Sequence, residues 1–220
     1  MKETPVLHLK KSTSETFEKD QIEATIVEYG NNFQILEDNL HASIKHLEEL
    51  PSGKEFPRGF KLWNDMPRVG SPIGWVNLRS GAYAMPHKPN QEYRSGMLVT
   101  AVPDNEFYYE CISSGKSPIK TKPFKNTNFP FYEVSNAQRW RPNRPYEVND
   151  IAMATSGDET FYLEVTVAGK SGNGEPIWRN HANGTSVVDG GVTWKKVANP
   201  RWQRRKTSAL FKPFGVIYEE

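Results

Sequence analysis

The chain has 220 residues, 36% apolar and 25% charged, with a formal net charge of +2. That balance excludes an overall electrostatic pull toward nucleic acid or membrane, and the mean hydropathy of −0.69 suits small β units better than one large core. No run reaches the ~18 apolar residues of a membrane span, and MKETPVLHLKKSTSETF lacks the apolar stretch of a secretory signal.

Before the first predicted element, Val6, Leu7 and Leu9 are the apolar side chains of segment 1–16. Ser12 and Glu15 have capping-box spacing, and no proline follows until Pro51. Apolar residues at Ile22, Ile26, Tyr29, Phe33, Leu36, Leu40, Leu47 and Leu50 alternate steps of three and four, with Ser43 breaking the row. This heptad predicts a helix over 17–50 whose seam joins copies of the chain. Tyr29 and Phe33 at core positions favour three strands over two. One amphipathic helix packed on its own domain gives the same period. If continuous, the helix is a rod of roughly 50 Å, and Gly30-Asn31-Asn32 is its weak point.

After Leu50 the grammar changes. PSGKEFPRG and DMPRVGSPIG read as linker, followed by entry strands, over 51–84. Short apolar and β-branched runs follow, among them MLVTAV (97–102), FYYECI (107–112), IAMAT (151–155) and FYLEVTV (161–167), separated by PDNE, SGDE and NG turns. These predict small antiparallel sheets. The runs also repeat. FYYECISSGKS (107–117) returns as FYLEVTVAGKS (161–171), 54 residues on. The same offset pairs Phe124 with Trp178, Val134 with Val188 and Trp140 with Trp194. Agreement over some fifty residues predicts a duplicated unit, here two tandem modules at 85–140 and 141–197, with a C-terminal strand or tail at 198–220.

Catalytic and ligand motifs are sparse. The five histidines form no His-Glu-x-x-His, and Cys111 stands alone, with Val165 at its repeat position. Cys111 therefore reads as a small buried hydrophobe, and neither a metal site nor a cofactor is expected. AGKSGNG lacks the upstream glycine of a phosphate-binding loop and ends a strand, so it reads as a turn. Glu110 and Glu164 fall at solvent-facing ladder positions. RWQRRK (201–206) reads as a solvated surface strand or loop.

The second copy carries Trp140 and Pro142, Tyr146, Asn149-Asp150, Tyr162, Gly169-Lys170-Ser171-Gly172, Glu175-Pro176 with Trp178, and Asp189-Gly190 with Trp194. This pattern resembles a short β module that recurs in virion proteins of tailed phages: tail fibres, head fibres and decoration proteins. The likeness covers roughly 70–197 and is looser in the first copy, which has KTKPF for Glu-Pro-x-Trp and SNAQRW for the Asp-Gly turn. It implies a structural protein of the virion surface with a capsid or tail protein as partner; the sparse motifs and the net charge of +2 add the expectation of no enzymatic activity and no nucleic-acid or membrane partner. A head fibre is the expected form, because the chain has no long shaft. The same pattern is distantly similar to small carbohydrate-binding modules. That similarity marks Tyr108, Tyr109, Tyr162, Trp178 and Trp202 as candidate contacts to host polysaccharide, and repeated aromatics are equally what two copies of one core contain. The expected fold is therefore mostly β: an N-terminal helical coiled coil forming a homotrimer, then two tandem β modules.

Overall fold

The structure, a computed structural model, describes residues 43–44, 46–120, 124–135 and 137–218. Val6, Leu7 and Leu9, and the heptad residues Ile22, Ile26, Tyr29, Phe33, Leu36 and Leu40, lie outside them. The chain divides at Ser43, and the unit described below is Ile44–Glu220. In it the predicted helix does not reach Leu50. His46 is extended, Leu47–Glu49 is a single 3-10 turn, and Leu50 is extended (φ −65°, ψ 136°) and buried. Pro51 excludes its predecessor from the helical region, so Leu47 and Leu50 belong to the β unit. No helix of seven or more residues occurs among the described residues, whose regular structure is almost all strand, in small, largely antiparallel sheets.

Three sheets are nested along the chain. In the outer one, Lys61–Asn64, Pro72–Asn77 and Phe211–Val216 lie side by side, antiparallel. Its inner face sets Leu62 and Trp75 in the core, and Phe211 packs on Phe56 and Tyr83. Asn77 is fully buried: its Nδ2 donates to the Phe56 and Pro57 carbonyls, and its Oδ1 accepts from Leu210 N–H at 2.9 Å. The entry strands expected within 51–84 are thus Lys61–Asn64 and Pro72–Asn77, Glu55–Phe56 and Gly81–Ala82 pair separately, and the C-terminal strand completes the outer sheet.

The middle sheet runs Met85–Pro86, Leu98–Thr100, Phe107–Ser113, Arg201–Thr207, Phe131–Tyr132, with its first pair parallel. The inner sheet runs Ile151–Ala152, Phe161–Val167, Val192–Ala198, Ser186–Asp189, and a parallel bridge from Arg139 to Met153 fills the slot that Met85–Pro86 fills in the other. The two orders are the same, so the duplication is structural. The modules are not tandem, however. The inner one closes on its own hairpin, Ser186–Asp189 with Val192–Ala198. In the middle one that hairpin is split: the chain leaves after Phe131–Tyr132, builds the whole inner module, and returns as Arg201–Thr207. Boundaries at 140 and 198 therefore cut through a module.

Arg79 ties these layers together. Its guanidinium takes both carboxylate oxygens of Asp104, at 2.9 and 3.0 Å, and donates to the Ser208 carbonyl at 2.8 Å. Burial pushes the Asp104 carboxyl up, but the hydrogen bonds and charge of Arg79 outweigh it and leave the group below its ordinary value.

Candidate functional site

The repeated residues converge on one carboxylate in each module. In the inner module Asp189 Oδ2 accepts from the indole N–H of Trp140 at 2.8 Å and of Trp194 at 3.0 Å, and Oδ1 accepts from Gly172 N–H at 2.8 Å. Around it lie Tyr146, Trp178 and Leu163, all buried. In the middle module Glu133 takes the place of Asp189. Its Oε2 accepts from Trp202 Nε1–H at 3.0 Å and from the Ser117 hydroxyl at 2.8 Å. His87 stands where Trp140 stands in the other copy: His87 N–H bonds the Thr100 carbonyl as Trp140 N–H bonds that of Met153. Its Nε2 is 2.7 Å from Ser117 Oγ and 3.3 Å from Glu133 Oε1, the latter at ion-pair range without hydrogen-bond alignment.

His87, Ser117 and Glu133 have the composition of a hydrolytic triad and not its geometry. The Ser117 proton already points to the carboxylate, so Oγ accepts from Nε2–H. One imidazole nitrogen faces both partners, whereas a relay needs the ring between them. Serine and ring are 1% and 6% exposed. The arrangement anchors a core.

The equivalence extends outward. Asn90 and Asn143, and Gly96 and Asn149, adopt positive φ at matching turns. Tyr93 faces Gly115 as Tyr146 faces Gly169. Arg204 covers the Phe107 ring at 4.2 Å, and Lys196 covers Phe161 at 4.3 Å. Phe107 with Phe161, Gly115 with Gly169, and Phe124 with Trp178 thus hold as sequence pairs. Trp140 with Trp194 and Val134 with Val188 do not: Trp202 is the counterpart of Trp194, and Val134 lies in a separate cluster with Met153, Tyr162 and Val197.

The candidate sugar contacts are, with one exception, core. Tyr109, Tyr162 and Trp202 are fully buried and Trp178 is 5% exposed, so none presents a ring face to a ligand. Tyr162 donates to the Lys116 carbonyl across the two modules, and Trp178 N–H donates to Glu175. Tyr108 is half-buried. The basic run is taken up by its surroundings: Arg201 lies 5.3 Å from the Tyr132 ring, Arg204 bonds Asn126 and Asn128, and Arg205 pairs with Glu110 at 2.7 Å. Glu164, expected to face solvent, is 7% exposed. Cys111 is buried at the Val165 position, and burial pushes its thiol up to about 11.

Among the described residues no three His, Cys, Asp or Glu side chains are placed to hold a metal ion, and no helix is long and apolar enough to cross a membrane. AGKSGNG supplies a two-residue strand and the turn whose Gly172 N–H binds Asp189. No family model, curated protein or solved structure matches the chain.

Proposed function

We propose that the chain is a non-catalytic structural protein of a tailed-phage virion: a trimeric fibre or decoration protein on the particle surface, on the head in preference to the tail or collar. One observation supports it above the rest. The motif that resembles the virion modules, from Trp140 to Trp194, is spent on building a rigid core around Asp189, and the first copy repeats that construction with other residues around Glu133. A chain that uses its aromatic, acidic and histidine side chains twice over as scaffold fits a load-bearing particle component. In this reading the heptad from Ile22 to Leu40 joins three copies, and segment 1–16, with Val6, Leu7 and Leu9, attaches them to a capsid or tail protein.

A stand-alone carbohydrate-binding module is the competing reading, and it loses four of the five residues that suggested it. The test is assembly and incorporation. The full chain should sediment at about 75 kDa, three times 25.1 kDa, and particles carrying a 1–16 deletion should lack the protein while the deleted chain still trimerises. A full-length monomer, or normal incorporation of the deleted chain, refutes the proposal.

A further inference from the structure

The outer sheet has two faces, and the β unit packs against one. By register, Lys61, Val76 and Lys212 form one row of the opposite face, and Trp63, Gly74 and Phe214 form the next. A Cβ at Gly74 would lie 2.8 Å from the Phe214 ring, so that ring lies across bare glycine backbone. Trp63 meets it edge-on, centroids 5.5 Å apart. The product is an aromatic corner, with Phe214 as its base and Trp63, 45% exposed, as its wall. The lysine row stands about 7 Å along the strands, two residues away. Both lysines are exposed. Neither forms an ion pair among the described residues, and Lys212 reaches Asp104 only as a longer-range charge.

A second copy of the chain is a poor cover for this face, because it would bury two unpaired ammonium groups of like sign. The chemistry that fits is anionic and has flat C–H faces. We propose that this face binds an acidic oligosaccharide. A pyranose ring stacks on the exposed Trp63 indole with its edge over Phe214, and a carboxylate or phosphate on the adjoining sugar is held by Lys61 and Lys212. This goes beyond the virion reading and stands or falls independently of where the chain sits in a particle.

Of the six tryptophans, Trp75, Trp140, Trp178, Trp194 and Trp202 are buried and Trp63 is exposed, so acrylamide quenching of the full-length protein reports chiefly on Trp63. Oligogalacturonate should protect that emission, and protection should fade as salt rises. Lys61→Gln with Lys212→Gln should abolish protection while leaving quenching of the free protein unchanged. Trp63→Ala should weaken calorimetric binding about tenfold. Four results overturn the proposal: no protection, equal protection by a neutral oligosaccharide, stronger protection by single-stranded DNA, or a Trp63 already shielded before ligand is added.

Discussion

At the scale of single residues, the two copies solve one problem with different side chains. A buried indole N–H needs an acceptor, and a buried carboxylate needs several donors. Asp189 collects two indoles and a backbone N–H, whereas Glu133 collects an indole and a hydroxyl beside an imidazole. The smaller ring of His87 goes with the acid that is one methylene longer. A fixed 54-residue offset could not show this. It aligned Trp140 with Trp194, which are instead partners on one aspartate. Removing the acceptor should therefore be severe. Asp189→Ala strands two buried indole donors and a part-buried backbone N–H at ~1–3 kcal/mol each, so urea unfolding should show a loss of at least about 3 kcal/mol. Asp189→Asn, which keeps one oxygen, should lose roughly half as much. Equal losses for the two variants would mean that packing volume, rather than hydrogen bonding, governs the site.

At the scale of elements, the strands with clear β-branched or aromatic alternation were legible: Phe107–Ser113 and Phe161–Val167 form where FYYECI and FYLEVTV predict them. RWQRRK was legible as a surface strand or loop, but the place of Arg201–Thr207 between two strands of the middle sheet was not, because its charges mask the period. Its signal is a match that offset counting misses: Trp202-Gln203-Arg204 repeats Trp194-Lys195-Lys196, with Trp202 opposite Cys111 and Trp194 opposite Val165. The predicted helix does not reach Leu50, because Leu47 and Leu50, which extend the heptad in sequence, belong to the β unit. The repeated glycines have a steric cause. A Cβ on Gly169 would sit 2.0 Å from the Gly191 carbonyl oxygen, and on Gly115 2.5 Å from Pro200 N. In both copies a short strand crosses the backbone that closes the module. Gly169→Ala should destabilise by at least about 3 kcal/mol in thermal or urea melts, since backbone must move. Gly174→Ala, with nothing within 4 Å, should stay within ~0.5 kcal/mol. Similar effects at the two positions would contradict the close approach.

At the scale of the whole molecule, nesting replaces the predicted tandem. The sequence shows two copies of a unit, but whether one copy is closed by its own hairpin or by a distant return depends on pairings such as Glu110 with Arg205, 95 residues apart, and no local pattern carries that. Nesting leaves the inner module as an insertion into one hairpin turn of the middle module. Phe131 and Tyr132 pair with Trp202 and Arg201 as Val187 and Val188 pair with Trp194 and Thr193. In the inner module only Gly190 and Gly191 connect Asp189 to Val192, so the same two-residue turn should connect Glu133 to Pro200. Replacing residues 134–199 with Gly-Gly should thus leave the middle and outer sheets folded. The variant gives up the cluster of Val134, Met153, Tyr162 and Val197 and the Tyr162 bond to Lys116, so its melting temperature should fall by several degrees. Its near-ultraviolet dichroism from Trp202 and Tyr109 should persist, and melting should stay cooperative, because the Glu133 anchor, the Trp202 ladder and the Arg79–Asp104 clamp all remain in the chain. A shortened protein without a cooperative transition would show that the inner module is a folding template for the middle one rather than an insertion into it.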